Sequence, residues 1–408
     1  MPSVCLYFKM HQPSPLQQAV LNGKQGNIKS NNESDTSGIN RVADECYLPA
    51  NELILRLIKE FKGEFKVCFA VSGTTISQLQ QCRPDVIDSL KTLVNTECVE
   101  LLGETYYHSL SYLHSSKEFV RQVQKHKMLL QEVFNITPKV FVNTALVYNN
   151  NLPLILKDLG FAAVLCEGVD SVLNGRNINK LYRCDGVESF RLLLRHASLS
   201  DDVAFRFNDK QWNEYPLGPE KFASWVHAHD AASDVINLYL DYETFGLHKN
   251  RESGIFHFLE ALPVEILSNP SFEFSTASEA LELYKAEEIY NVPQTISWHN
   301  KAPDNCIWSE NIMQNNAIRK IYRLENLVLG SNDEHAMDAW GKFQCADYFY
   351  QMKNGPLNTD NNTSQNGSSP LQLCQTYLST VASFEMALLQ KVMDNKSTQE
   401  NNSYVTLY

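Results

Sequence analysis

The sequence predicts an α/β protein, a parallel sheet wrapped by helices, followed by a helical C-terminal region. Three observations predict it. Short apolar runs alternate with segments of helical periodicity, the pattern of parallel strands covered on both faces. Polar and acidic residues collect just after several of those runs, as they do where the strands of a β/α barrel end on a shared site. Past about residue 270 the strand-like runs stop and only helical periodicity remains. The alternation alone leaves a doubly wound open sheet as a second architecture, although no GxGxxG fingerprint supports a dinucleotide site.

The elements follow in order. Val4–Phe8 reads as the first strand, ended by a polar turn with two prolines, and residues 16–42, rich in Asn, Ser, Gly and Gln, read as a long loop. A helix is expected from Pro49 through ANELILRLIKEF, then a strand in FKVCFAV, helical periodicity over 75–95, and a strand at VELLG (99–103). An amphipathic helix over 116–134 leads to strand KVFVNT (139–144), a helix over 151–159, and strands FAAVLCEG (161–168) and DVINLYLDYE (234–243). Residues 275–289, 309–330, 333–353 and 371–392 read as successive helices, with polar loops at 353–370 and 393–404. These readings divide the chain into a barrel over 1–270 and a helical domain over 271–408.

A formal net charge of −12 argues against nucleic acid or an acidic membrane surface as partner, while a neutral ligand meets no such repulsion. The ten cysteines are scattered without a CxxC pair, and several sit in apolar runs, so reduced core thiols and a reducing compartment are expected. With no signal-peptide apolar region and no run of 18 apolar residues, a cytoplasmic protein without membrane spans is expected.

Retaining cleavage or transfer of a glycosidic bond needs two carboxylates roughly 5 Å apart, one as nucleophile and one as acid and base. Asp241 and Glu243 follow an apolar strand and are candidates by period-two geometry, against the plainer reading of a solvated strand end. Glu104 and His108 lie among Tyr106, Tyr107 and Tyr112, which fit a sugar grip or ordinary core-edge packing. His11 and Gln12 end the first strand, where a structural histidine is the plain alternative. Trp298, Asp304 and Trp308 combine two indoles with a carboxylate, a sugar subsite or simple helix packing. His227, His229 and Asp230 have the spacing of a metal site but fit a chance surface segment better.

The motifs YFKMHQP (7–13), ELLGETYYHSL (100–110), VFVNTALVYNN (140–150), LYLDYETFGLH (238–248) and the stretch from ISWHN to WSENIMQ (296–314) follow in that order. They resemble the five conserved regions of glycoside hydrolase family 57, in its α-amylase and α-amylase-like branch. CYLPANE (46–52), EGVD (167–170) and LSDDVAFRF (199–207) resemble further signatures of that branch, and the resemblance covers nearly all of residues 4–350. It implies an incomplete (β/α)7 barrel with a helical C-terminal domain, retaining chemistry on α-1,4- or α-1,6-linked glucans, and no cofactor; no metal is expected either. It assigns Asp241 to the acid/base, His11 to a sugar contact near the scissile bond, and Glu104 and His108 to the cleft. Trp298, Asp304 and Trp308 would bring the helical domain to the glucan, with Glu243 and Asp347 as further binding positions.

The third motif departs from the pattern. Where active members carry Asn-Thr-Glu-Leu with Glu as nucleophile, this chain has Asn143–Thr144–Ala145–Leu146. Leu247 stands where many members have an acidic residue, and Cys345 and Ala346 precede Asp347 where hydroxyl residues are usual. Such scattered drift points to natural relaxation. The expectation is an α-glucan-binding homologue, taking α-1,4-linked glucan or maltooligosaccharide, that is inactive or severely impaired. The alternatives are an active hydrolase or 4-α-glucanotransferase (Ala145 engineered, or another carboxylate recruited) and a structural protein that has lost glucan binding.

Overall fold

Ser3–Met10 forms strand β1, and its near-continuous burial explains the apolar run: a parallel strand covered on both faces has no solvent side to keep polar. The computed structural model describes residues 1–16, 32–229, 233–298, 307–353 and 369–405, with side chains of 32–36 and 395–405 outside that description. Along the chain follow β2 (Val67–Val71), β3 (Val99–Leu101), β4 (Val140–Val142), β5 (Ala163–Glu167), β6 (Tyr182–Cys184), β7 (Val187–Arg195), β8 (Val235–Asp241), β9 (Glu273–Phe274) and β10 (Ile289–Tyr290).

Seven of these strands pair in parallel around a ring. β1 pairs β2, and β2 pairs β3. Gly103, just past β3, bridges Phe141 of β4. β4 pairs β5, β5 pairs β7, β7 meets β8 at Arg195 and Asn237, and β8 returns to β1 along its whole length. The contact between β7 and β8 is reinforced by a side chain: Asn237 Nδ2 donates to the Leu194 carbonyl at 3.0 Å and its Oδ1 accepts from the Tyr7 hydroxyl at 2.8 Å. The fold is α/β, a (β/α)7 barrel one strand short of the usual eight, followed by a helical region.

Strand periodicity sorts the core. Cys5 and Tyr7 of β1 join Cys68, Ala70, Val142, Leu165, Leu193 and Val235 inside the ring, while Leu6, Phe8 and Met10 pack outward against the helices. The helix Ala277–Leu283 begins with a capping box between Thr276 and Glu279 and sends Ala277 and Ala280 into the inner cluster. Its first turn meets Cys5 and Cys68, near the N-terminal ends of β1 and β2. The opposite, C-terminal rim is where the polar side chains gather.

The helices Ile312–Tyr322, Glu325–Gly330, Glu334–Phe343, Ala346–Gln351 and Pro370–Val405 have their own core around Trp340, Phe343 and Tyr377, which also takes in Leu110 and Val147 from the barrel loops. Docking is close. A Cβ on Gly341 would lie 2.1 Å from the Tyr107 ring, so only glycine lets helix Glu334–Phe343 approach there. The Tyr107 hydroxyl donates to Asp338 at 2.6 Å, and Ser109 bridges Cys345 as a short antiparallel pair.

Several expectations are corrected. β9 and β10 pair with β1 and β6, so sheet structure continues past residue 270. Asn32–Val42 is helical, not loop, and runs on into Leu48–Glu60; Ile39, Val42, Cys46 and Tyr47 are buried in the outer core, and that burial overrides a polar composition. Residues 17–31 and 354–368 of the two expected loops lie outside the described residues. The backbone over 393–404 is helical. Helical periodicity over 75–95 resolves into Gly73–Cys82 and Pro84–Val94, because proline at 84 removes a backbone donor and Arg83 before it leaves the helical region at φ −142° and ψ 64°. The antiparallel pair β6–β7 was not expected at all.

Candidate functional site

Register creates the site. β1 and β8 pair Cys5 with Asn237, Tyr7 with Tyr239 and Lys9 with Asp241, so the face that fills the barrel lower down ends in a lysine and an aspartate at the rim. Lys9 Nζ lies 3.5 Å from Asp241 Oδ1. Burial alone would lower the Lys9 ammonium, but Asp241, Asp347, Tyr239 and Glu243 together hold it above the ordinary lysine value. Asp241 is the open member of the pair, its side chain 46% exposed.

Beside this pair stand two imidazoles. His11 and His108 stack with centroids 4.3 Å apart. Burial, and then the Lys9 charge, push both well below the usual histidine range, so both are neutral at pH 7. His11 Nδ1 meets Ser72 Oγ at 2.7 Å; its Nε2 faces Cys345 Sγ at 3.3 Å and Asp347 Oδ2 at 3.5 Å. Burial and Asp241 raise Asp347.

Glu104 follows β3, its backbone N–H donating to His126 Nδ1 at 3.2 Å. Its carboxyl is buried, lies 3.5 Å from His108 Nδ1, and leaves Oε1 without a hydrogen-bond partner. Burial pushes it up to about 8 against the pull of Lys9, so it is largely protonated at pH 7 and equipped to donate to a hydroxyl.

Glu243 does not share the open rim with Asp241. Tyr47 donates to its Oε1 at 2.5 Å and Gln12 Nε2 donates to the same oxygen at 2.9 Å. Burial, then the Asp241 charge, raise it to about 7 despite those two donors. Across the ring, Arg195 of β7 pairs with Glu167 of β5 at 3.2 Å and also with Asp201.

Ala145 lies just beyond β4, in a left-handed conformation (φ 56°, ψ 25°) that Leu146 shares at φ 54°. Two successive non-glycine residues there mark a strained turn, held by Asn143 Nδ2 donating to the Val147 carbonyl at 2.8 Å and by the Thr144–Thr105 hydroxyl contact at 2.9 Å. The Ala145 carbonyl accepts from the Trp298 amide at 3.1 Å. The Trp298 indole lies nearly parallel to Phe205, centroids 6.3 Å apart.

Of the expected residues, the rim brings together His11, Glu104, His108, Asp241 and Asp347, with Glu243 behind Gln12 and Tyr47. Trp308 is 3% exposed and packs into the helical core. Asp304 lies outside the described residues, as does Asp230; His227 Nε2 meets the Ile266 carbonyl and His229 packs edge-on to His196, so those two imidazoles have separate partners. Sequence reasoning missed Lys9, Tyr47, Ser72 and Phe205. Lys9 carries a usable signal, since it sits two positions before His11 on the same strand face.

Known proteins similar to this chain point to one family. The model of Glycosyl hydrolase family 57 matches residues 5–293. A Methanocaldococcus jannaschii protein named "Putative alpha-amylase" is 37% identical over 361 residues, 87% of this chain and 74% of its own length. The 4-α-glucanotransferase of Thermococcus litoralis superposes with a TM-score of 0.70 at 16% identity, over 94% of this chain and 59% of its own. A GH57 branching enzyme from Thermococcus kodakaraensis gives 0.65 at 13%, over 94% and 95%. At such identities the two structures speak for the fold alone; the family match spans β1 through β10 and every strand end that carries a rim residue. On that match, this chain belongs to glycosyl hydrolase family 57.

Proposed function

We propose that this protein binds α-1,4-linked glucan or maltooligosaccharide at the barrel rim and cleaves it very slowly or not at all. Ala145 carries the reading. By the resemblance of the third motif it stands where the family carries its nucleophile, and a methyl group neither attacks an anomeric carbon nor stabilises an oxocarbenium-like transition state. Loss of that group removes several orders of magnitude in rate while binding contacts elsewhere persist. Support for binding comes from the retained rim: Asp241 is open at the acid/base position, His11, His108, Glu104 and Asp347 offer polar contacts, and Trp298 offers an aromatic face beside Ala145. Glu243 is held behind the rim by Tyr47 and Gln12, and Trp308 is buried in the helical core.

Recruitment of another carboxylate is disfavoured by Glu243 being held by Tyr47 and Gln12, and by Glu104 being buried against His108. Among the described residues no helix is long and apolar enough to cross a membrane, and the nine described cysteines are free thiols, which fits a cytoplasmic protein.

Calorimetric titration with maltoheptaose, followed by product analysis, tests the proposal. Saturable binding with an intact oligosaccharide is the expected result, and Ala145→Glu is expected to yield shortened or redistributed chains. Absence of binding heat at several temperatures would sink the binding reading. Cleavage by the unmodified protein would sink the inactivity.

A further inference from the structure

We propose that His11, Cys345 and Asp347 form a binding site for one thiophilic divalent cation, zinc(II) above all, in the wall of the barrel rim. The three side chains come from two separate parts of the chain. His11 ends β1, while Cys345 and Asp347 begin the helix Ala346–Gln351, brought across by the Ser109–Cys345 bridge and by the Ala346 amide donating to the His108 carbonyl at 3.0 Å. One atom from each, His11 Nε2, Cys345 Sγ and an Asp347 carboxylate oxygen, lies within 4.8 Å of the other two. His11 Nε2 is 3.3 Å from the sulfur and 3.5 Å from Asp347 Oδ2. Nitrogen, sulfur and oxygen ligands of one tetrahedral zinc ion stand about 3.3–3.6 Å apart, so the two distances from His11 need little adjustment, and the sulfur and carboxylate, within 4.8 Å, close onto the ion.

Three further observations fit a ligand set. The Ser72 hydroxyl contacts His11 Nδ1 at 2.7 Å and is itself within 2.8 Å of the Thr75 hydroxyl, the kind of outer contact that orients a metal-binding imidazole with its other nitrogen inward. The stacked His108 ring holds the plane. Asp241, Asp347 and Glu243 all face Lys9, so acidic groups outnumber the one ammonium around the site before the thiol is counted. Binding displaces the Cys345 thiol proton to solvent, and sulfur then selects zinc over magnesium or calcium. Three protein ligands leave the fourth position of a tetrahedral ion open to water or to a glucan hydroxyl.

Cobalt(II) titration of the purified, chelator-treated chain reads the site directly and needs no glucan, so its outcome is separate from that of the binding experiment. The expected result is a thiolate-to-cobalt charge-transfer band in the near ultraviolet that saturates at a single equivalent and is displaced by zinc(II). Cys345→Ser abolishes the band; Asp347→Asn and His11→Gln keep the sulfur ligand but weaken affinity by about tenfold or more. Cys374→Ser, a buried thiol in the helical core, leaves band and affinity unchanged. Absence of the band from the unmodified protein overturns the proposal, as does a band that survives in folded Cys345→Ser or affinity unmoved in both His11→Gln and Asp347→Asn.

Discussion

Glu104 carries the clearest pH signature of any single residue. Its folded-state value of about 8 stands above the 4.5 of an unburied glutamate, so the folded state holds a proton that the unfolded chain releases. Stability from this group is therefore complete below about 4.5 and is lost as pH rises through about 8. Glu104→Gln, which mimics the protonated form, should lose on the order of 3 kcal/mol less than the unmodified chain between pH 4.5 and 8.5, read by urea denaturation across that range. Equal slopes in the two proteins would show that Glu104 ionises normally. The sequence marks Glu104 as a candidate because it follows an apolar strand. It does not reveal the carboxyl oxygen left unpaired by burial, nor the meeting of His11 with Cys345 across 334 positions, which depends on how the helical region docks. Ala145, in contrast, is read wholly from its motif, and the structure adds only the left-handed turn in which it sits.

At the scale of elements, legibility followed covering. Strands buried on both faces, such as β2 and β5, announce themselves as short apolar runs between helices. β7 has exposed positions at Glu188 and Ser189 and lost that signal, although Asp185–Gly186, with Gly186 at φ 81°, is a hairpin dipeptide that reading for turns would have found. The segment from Asn32 was misread for the opposite reason: its composition is that of a loop, and tertiary burial makes it helix. Docking of the C-terminal helices turns on Gly341. Gly341→Ala must push the Tyr107 ring away and should destabilise the fold by about 1–3 kcal/mol, measured as a lower denaturation midpoint, because a close-packed contact has no slack for a methyl group. The same change should weaken maltoheptaose binding, since Tyr107 lies next to His108; unchanged affinity would show that the rim tolerates a displaced helix.

For the whole molecule, charge and topology set the terms. On the proposed reading, a chain at −12 meets an uncharged glucan with no long-range attraction to lose, so maltoheptaose affinity should change less than about twofold between 50 mM and 500 mM salt. A steep salt dependence would point instead to a charged ligand. The barrel closes through two thinly paired junctions, Gly103 with Phe141 between β3 and β4, and the meeting of β7 with β8. β7 and β8 meet at a single register pair, and Asn237 supplies from its side chain the hydrogen bond to Leu194 that a longer ladder would take from backbone. Asn237→Leu should therefore cost more than its volume suggests, leaving the Leu194 carbonyl and the Tyr7 hydroxyl without those partners. Were that junction to part, the cylinder would become a curved sheet with two free borders, each a template for pairing with another copy. One carboxamide thus helps to keep this protein from self-association, a duty unrelated to sugar and one that would persist however far the catalytic positions drift.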